Sequence, residues 1–305
     1  MSRPRRAKRT LRSTAFAPGH VTGFFSPDLD ARDPRARGST GAGLVLELGV
    51  VAHAEWQPAT VRRVSVVADI DGPLPISEEV ARRLAPAGPG HLSVHLAHQL
   101  PVGQGFGMSA AGALSTALAV AALSGSSRAK AVEVAHLAEL FGRGGLGGVA
   151  AILGGGLEFR ARAGVPPFGR IFHRPFRRSL ILGVVGGPLP SPRILRNRKT
   201  LGEIGTAFEA AWGTRRVPGA EEFLDASERF TDRLHLTTPA LERTLRSVRS
   251  AGGWAAQAMF GRSFFAVPRS QDARRRIVRD LARRDVLALE LSTARQGAVR
   301  RRGSG

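Results

Sequence analysis

Between positions 101 and 112 the chain reads Pro-Val-Gly-Gln-Gly-Phe-Gly-Met-Ser-Ala-Ala-Gly. Gly103, Gly105 and Gly107 alternate ahead of Ser109, and a run of small apolar residues follows to Leu123. Glycine permits positive φ and close approach of backbone to a ligand. The first N–H groups of a helix have no intrahelical partner, and the helix dipole favours an anion there. A loop of this kind can wrap phosphates, with the Ser109 hydroxyl in reach of a phosphate or a metal. The same residues also describe a glycine turn that caps a buried helix. The Gly-Lys-Ser/Thr of a Walker loop is absent, and no acidic residue about 20 positions on completes a dinucleotide fingerprint.

Phosphoryl transfer relies on positioning and on neutralising charge with Mg²⁺ and cationic groups. Beside a phosphate cradle it needs oxygen ligands for the metal and a group that orients or deprotonates the attacking hydroxyl. Glu139 is the best acidic candidate for the metal, because its helix is otherwise largely apolar at Ala131, Val132, Ala135, Ala138 and Leu140. A carboxylate in that setting sits either at the wet edge of the helix or inside for a purpose. His136 lies three positions earlier, but no third ligand at diagnostic spacing makes a transition-metal site of the pair. The chain contains no Cys, which excludes disulfides, thiolate metal sites and a thiol nucleophile.

The 101–112 segment resembles the phosphate-binding motif Pro-x-x-x-Gly-Leu-Gly-Ser-Ser-Ala of the galactokinase–homoserine kinase–mevalonate kinase (GHMP) superfamily. Phe106 stands for the usual Leu and Met108 for the first Ser. Further segments match in the superfamily's order: 17–25, 38–43, 135–139, 145–149, 188–191 and 257–261. Together they are most similar to the archaeal pantoate kinase branch. The resemblance implies ATP-dependent phosphorylation of pantoate to 4-phosphopantoate in coenzyme A synthesis, with ATP and Mg²⁺ required. It implies an α+β fold of two mixed halves, the first like ribosomal protein S5 domain 2 and the second ferredoxin-like, with the active site between them.

Carried over residue by residue, the resemblance assigns nucleotide binding to Pro101, Gly103, Gly105, Gly107, Met108, Ser109 and Ala110. Ser109 and Glu139 are the implied Mg²⁺ ligands and catalytic residues. His20, Ser39, His136, Arg160 and Ser191 are the implied substrate contacts. Arg160 matches an arginine that pairs with the substrate carboxylate, for which a guanidinium has the right fork. Ser191 replaces the usual Thr and keeps the hydroxyl. The main departure is Gly148, where relatives carry an Asp that acts near the substrate hydroxyl. Glycine cannot do that work. A loose transition state needs little early deprotonation, so substrate-assisted proton loss is one answer. A kinase for another small hydroxy acid or alcohol, or a noncatalytic relative, are the others.

The elements that must position these residues follow from periodicity. Strands are expected at 44–51, 61–68, 92–96, 157–163, 179–185 and 286–291, and a pair of extended segments, 254–260 and 263–267, turning at Gly261. Helices are expected at 77–84 with Ser77 as N-cap, and at 108–123, 128–141, 147–153, 197–212, 220–234, 239–250 and 271–284. The predicted organisation is a basic tail at 1–13, a nucleotide-binding half at 14–167, a second half at 168–294 and a basic tail at 295–305, with the boundary at Pro166-Pro167. Net charge is +21, nearly all from arginine, and a bias of that kind can reflect base composition as readily as a polyanionic partner. With no Tyr and no interleaved aromatic pattern, functional nucleic-acid binding by the tails is not expected. No apolar run reaches the roughly 18 residues of a membrane span, and no apolar signal core follows the basic N-terminus. A cytoplasmic enzyme is expected, and a homodimer is left open.

Overall fold

The computed structural model describes residues 10–188, 197–214 and 216–301. Its first sheet is built on two long antiparallel strands, β1 (Leu11–Asp28) and β2 (Gly38–Pro58). The register shifts between Pro18 and His20 and again between Thr22 and Phe24. Such bulges bend a strand and re-aim its side chains, and here they turn His20 towards the inside. β2 changes partners along its length. Residues 50–58 pair with β4 (Gly90–His98), and residues 41–44 pair with β5 (Leu157–Arg162). β3 (Arg63–Ala68) lies parallel to β4, and β6 (Arg170–Arg174) lies antiparallel to β5.

Against this sheet packs α2 (Met108–Ser124), flanked by α1 (Pro75–Leu84) and α3 (Arg128–Gly142). The Ala and Gly content of α2 lets its neighbours approach on every side, and all but one residue from Met108 to Ala121 are buried. The exception is Ser109. α1 begins at Pro75 rather than at the expected Ser77 cap; proline's fixed φ suits the first helical position. The α3 start is as the sequence suggests, with Ser127 accepting from the Lys130 N–H at 3.1 Å.

The second sheet contains β7 (Leu180–Val184), β8 (Gly253–Gln257), β9 (Ser263–Pro268) and β10 (Leu287–Leu291), ordered β10-β7-β9-β8. α5 (Arg198–Ala211), α6 (Ala220–Leu234) and α7 (Pro239–Ser250) connect β7 to β8, and α8 (Gln271–Arg283) connects β9 to β10. This is the ferredoxin-like order, with strand four beside strand one and strand three beside it. The halves share an aromatic seam. Phe24 of β1 lies 5.8–6.0 Å from the rings of Phe208, Trp212 and Phe223, and Phe223 stacks on Phe265 of β9 at 6.1 Å.

Three boundaries differ from the sequence reading. β6 continues the first sheet beyond Pro166-Pro167, so the second sheet begins only at Leu180. After β10 the chain returns to the first sheet, where the Ala294 N–H donates to Val45 O at 2.8 Å. A short β11 (Val299–Arg301) then pairs with β1, so residues 11–13 and 299–301, assigned to tails, are strand. An arginine-rich strand edge reads as a charged tail because its pairing is with residues almost three hundred positions away. Among the described residues no helix is long and apolar enough to cross a membrane.

Candidate active site

The loop between β4 and α2 carries Gly103, Gly105 and Gly107 at φ 74°, 72° and 72°. All three lie in the left-handed region that disfavours other residues. Space is short as well. A Cβ on Gly105 would lie 2.6 Å from Met259 O, and one on Gly107 would lie 2.9 Å from His20 N. The loop is tied to both halves. The His20 N–H donates to Phe106 O at 3.0 Å, the Gln104 side-chain amide donates to Gly186 O at 2.8 Å, and the Ser263 hydroxyl donates to Gln104 O. Gly107 is the N-cap of α2 and offers no capping side chain, so the first N–H groups of α2 remain free for an anion.

A cavity of about 390 Å³ opens between this loop, the first sheet and the turn after β8. Gly103, Gly105, Gly107, Met108, Ser109 and Ala110 all line it; Pro101 does not. The Ser109 hydroxyl donates to Glu139 of α3. Glu139 is 3% exposed. Burial lifts its pKa from 4.5 to about 7, against the bond from Ser109. The 142–148 loop closes over it, and a Cβ on Gly144 would sit 2.5 Å from its Oε1. Glu139 is therefore inside rather than at the wet edge of its helix.

His20, Ser39 and Arg160 also line the cavity. Arg160 is 2% exposed. Its Nε donates to Ser39 O at 3.3 Å, and its NH1 donates to Glu158 Oε1. The same oxygen lies 2.9 Å from His20 Nε2. Glu158 is fully buried. Burial alone would raise its pKa, but Arg160 and His20 outweigh that and hold it below the usual value. For His20 burial dominates in the other direction and lowers the pKa, against the bond to Glu158. Gly147 presses on this group: a Cβ there would lie 2.4 Å from Ser39 Oγ and 2.8 Å from Arg160 Nε.

One of the sequence-derived substrate residues falls elsewhere. His136 is buried but does not line the cavity; its ring lies against the backbone of Pro34 and Arg37. A 3-10 turn at Pro34–Ala36 packs on that side of α3. Ser191 lies outside the described residues. Gly148 begins α4 (Gly148–Ala151) and lines the cavity without positive φ. Glu158 was missed, and so were the apolar walls Phe25, Ile76 and Phe260. The one available signal for Glu158 is its place two residues before Arg160, on the same strand face.

The arrangement fits Mg²⁺ with phosphates. Among the described residues no three His, Cys, Asp or Glu side chains cluster as a metal cage. Mg²⁺ commonly uses one or two carboxylates and completes its shell with waters and substrate phosphates. A buried carboxylate that faces no cation among the described residues and touches a hydroxyl beside a helix N-terminus supplies that donor set.

Comparison with known proteins agrees. The GHMP kinases N terminal domain model matches residues 76–156. The pantoate kinase of Thermococcus kodakarensis is 31% identical over 271 residues, covering 85% of this chain and 88% of that protein. The pantoate kinase of Methanospirillum hungatei is 29% identical, covering 84% and 87%. A solved structure described as a phosphotransferase related to the CoA biosynthesis pathway superposes with a TM-score of 0.87 at 27% identity, covering 97% of this chain and all of that one. With kinase-like sheets, a glycine cradle and kinship along most of its length, the chain belongs to the pantoate kinase family of the GHMP kinases.

Proposed function

We propose that the protein transfers the γ-phosphoryl group of ATP to pantoate, giving 4-phosphopantoate for coenzyme A synthesis. The observation that carries this reading is one cavity lined by both the glycine loop at the α2 N-terminus and a buried arginine. Gly103 to Ala110 hold the nucleotide phosphates through backbone N–H groups at the α2 N-terminus. Ser109 and Glu139 hold Mg²⁺, which neutralises charge on the phosphates when bound. Arg160 keeps NH1 on Glu158 and receives the pantoate carboxylate on the rest of its guanidinium, with Ser39 and His20 beside it. The apolar walls Phe25 and Phe260, in edge contact at 5.7 Å, suit the dimethyl carbon of pantoate.

Gly148 supports a second reading, a relative that binds nucleotide and substrate without turnover. ADP release measured with a panel of hydroxy acids separates the two. Turnover with pantoate well above homoserine and mevalonate supports the assignment. Equal turnover with all three overturns the substrate, and no turnover with any favours the noncatalytic protein.

A further inference from the structure

We propose that His20, held by Glu158, accepts the proton of the substrate hydroxyl during phosphoryl transfer, the task that Gly148 cannot perform. This rests on the kinase reading above. The titratable side chains lining the cavity, among the described residues, are His20, Glu139 and Arg160. Arg160 is a permanent cation. Glu139 is engaged by Ser109 at the phosphate end. His20 is the lining group left to take a proton.

The geometry orients it. Its Nε2 sits 2.9 Å from Glu158 Oε1. Nδ1 makes no hydrogen bond within the described residues and is not among the sealed polar atoms, so it is the ring nitrogen a ligand can reach. The Nε2–Cε1 edge lies against Gly43, where a Cβ would come within 2.2 Å of Nε2. That edge is fixed by a residue with no side chain. The His20 N–H, bonded to Phe106 O at 3.0 Å, ties the ring's backbone to the phosphate loop. His20 thus stands between the cradle and Arg160, where a substrate anchored by its carboxylate presents a hydroxyl to the phosphate. Burial favours the neutral imidazole. With the Nε2–H donated in a hydrogen bond to Glu158, the Nδ1 lone pair is the acceptor. The charged or titratable neighbours are Glu158 and Arg160 on β5 and His173 on β6.

In the step, the substrate hydroxyl oxygen bonds to the γ-phosphorus. The bond from that phosphorus to the bridging oxygen breaks, and ADP leaves with the electron pair. The hydroxyl proton passes to Nδ1, and the imidazolium, stabilised by Glu158, returns it to water after product release. A positioned base of this kind contributes about 10²–10⁴-fold.

The test compares wild type, His20→Gln, His20→Ala and Glu158→Gln for turnover, for pantoate affinity by calorimetry beside a non-hydrolysable ATP analogue, and for thermal melting. Gln can keep a bond to Glu158, and so serves as the folded variant. Expected are a kcat loss of at least about tenfold in His20→Gln, a loss of pantoate affinity smaller than the loss of kcat, partial recovery of His20→Ala by added imidazole, and a smaller kcat loss in Glu158→Gln. Wild-type kcat in His20→Gln overturns the proposal. So does lost pantoate affinity at unchanged kcat, which makes His20 a binding residue, or a folded His20→Ala that imidazole does not restore. A wild type that phosphorylates no hydroxy acid overturns the kinase reading itself, and this inference with it.

Discussion

Glu139→Gln separates the cost of burying a carboxylate from its use. Glu139 is 3% exposed, and no cation pairs with it among the described residues. Its pKa rises from 4.5 to about 7 in the fold. A carboxyl whose folded pKa exceeds its unfolded one stabilises the fold fully below about pH 4.5, and that contribution is lost as pH rises to and through about 7. At about 1.4 kcal/mol per pH unit over the interval from 4.5 to about 7, the loss is about 3 kcal/mol. Gln keeps the shape and the bond from Ser109 and carries no charge. The ligand-free variant is therefore expected to match wild type near pH 5 and to exceed it at pH 8 by up to about 3 kcal/mol, several degrees of Tm. Phosphoryl transfer falls at the same time, and the extra stabilisation that Mg²⁺ and ATP give wild type shrinks. Melting curves at pH 5, 6, 7 and 8, with and without nucleotide, read all of this. Parallel pH slopes in the two proteins, or a variant that melts earlier at pH 8, would refute the reasoning.

Arg160→Met should weaken pantoate binding and also lower Tm. It leaves the fully buried Glu158 without its guanidinium, and breaking such a pair costs about 3–5 kcal/mol; unchanged pantoate affinity with weakened ATP binding would contradict the assignment. Gly148→Asp should destabilise rather than restore a base, because its Cβ would stand 2.7 Å from the Ala110 Cβ. Overpacking of that kind costs about 1–3 kcal/mol, and adding Ala110→Gly should recover it in a thermal melt. A single variant as stable as wild type would contradict the crowding. Deleting residues 1–9 removes Arg3, Arg5, Arg6, Lys8 and Arg9 but spares β1, whose Arg12 pairs with Glu55 at 2.5 Å. Turnover should persist while retention on heparin at low salt falls; lost turnover would make the segment part of the enzyme.

The glycine loop before α2 was legible because its pattern is local: alternate glycines before a small-residue helix can be read in twelve consecutive positions. The helices on the second sheet were legible for a similar reason, since their apolar stripes repeat within a few turns. β1 and the first part of β2 were not read as strands. Pro18, Gly19 and Gly23 interrupt them, and burial on both faces removes the alternation that marks a half-buried strand. β6 and β11 were missed because they are short, arginine-bearing and defined only by distant partners. Glu158 escaped for the same cause: its meaning lies in His20, 138 positions away. His136, taken from the resemblance, lies instead where its spacing of three from Glu139 also allowed, packed inside its helix face against the backbone of Pro34 and Arg37.

The most direct measurement is phosphorus NMR of the pure protein with ATP, Mg²⁺ and pantoate, beside Ser109→Ala. The expected result is a growing phosphate-ester resonance matched by ADP with wild type, and none with the variant. A folded wild type that binds ATP yet yields no ester from pantoate or any other hydroxy acid would contradict a phosphoryl-transfer role for this site.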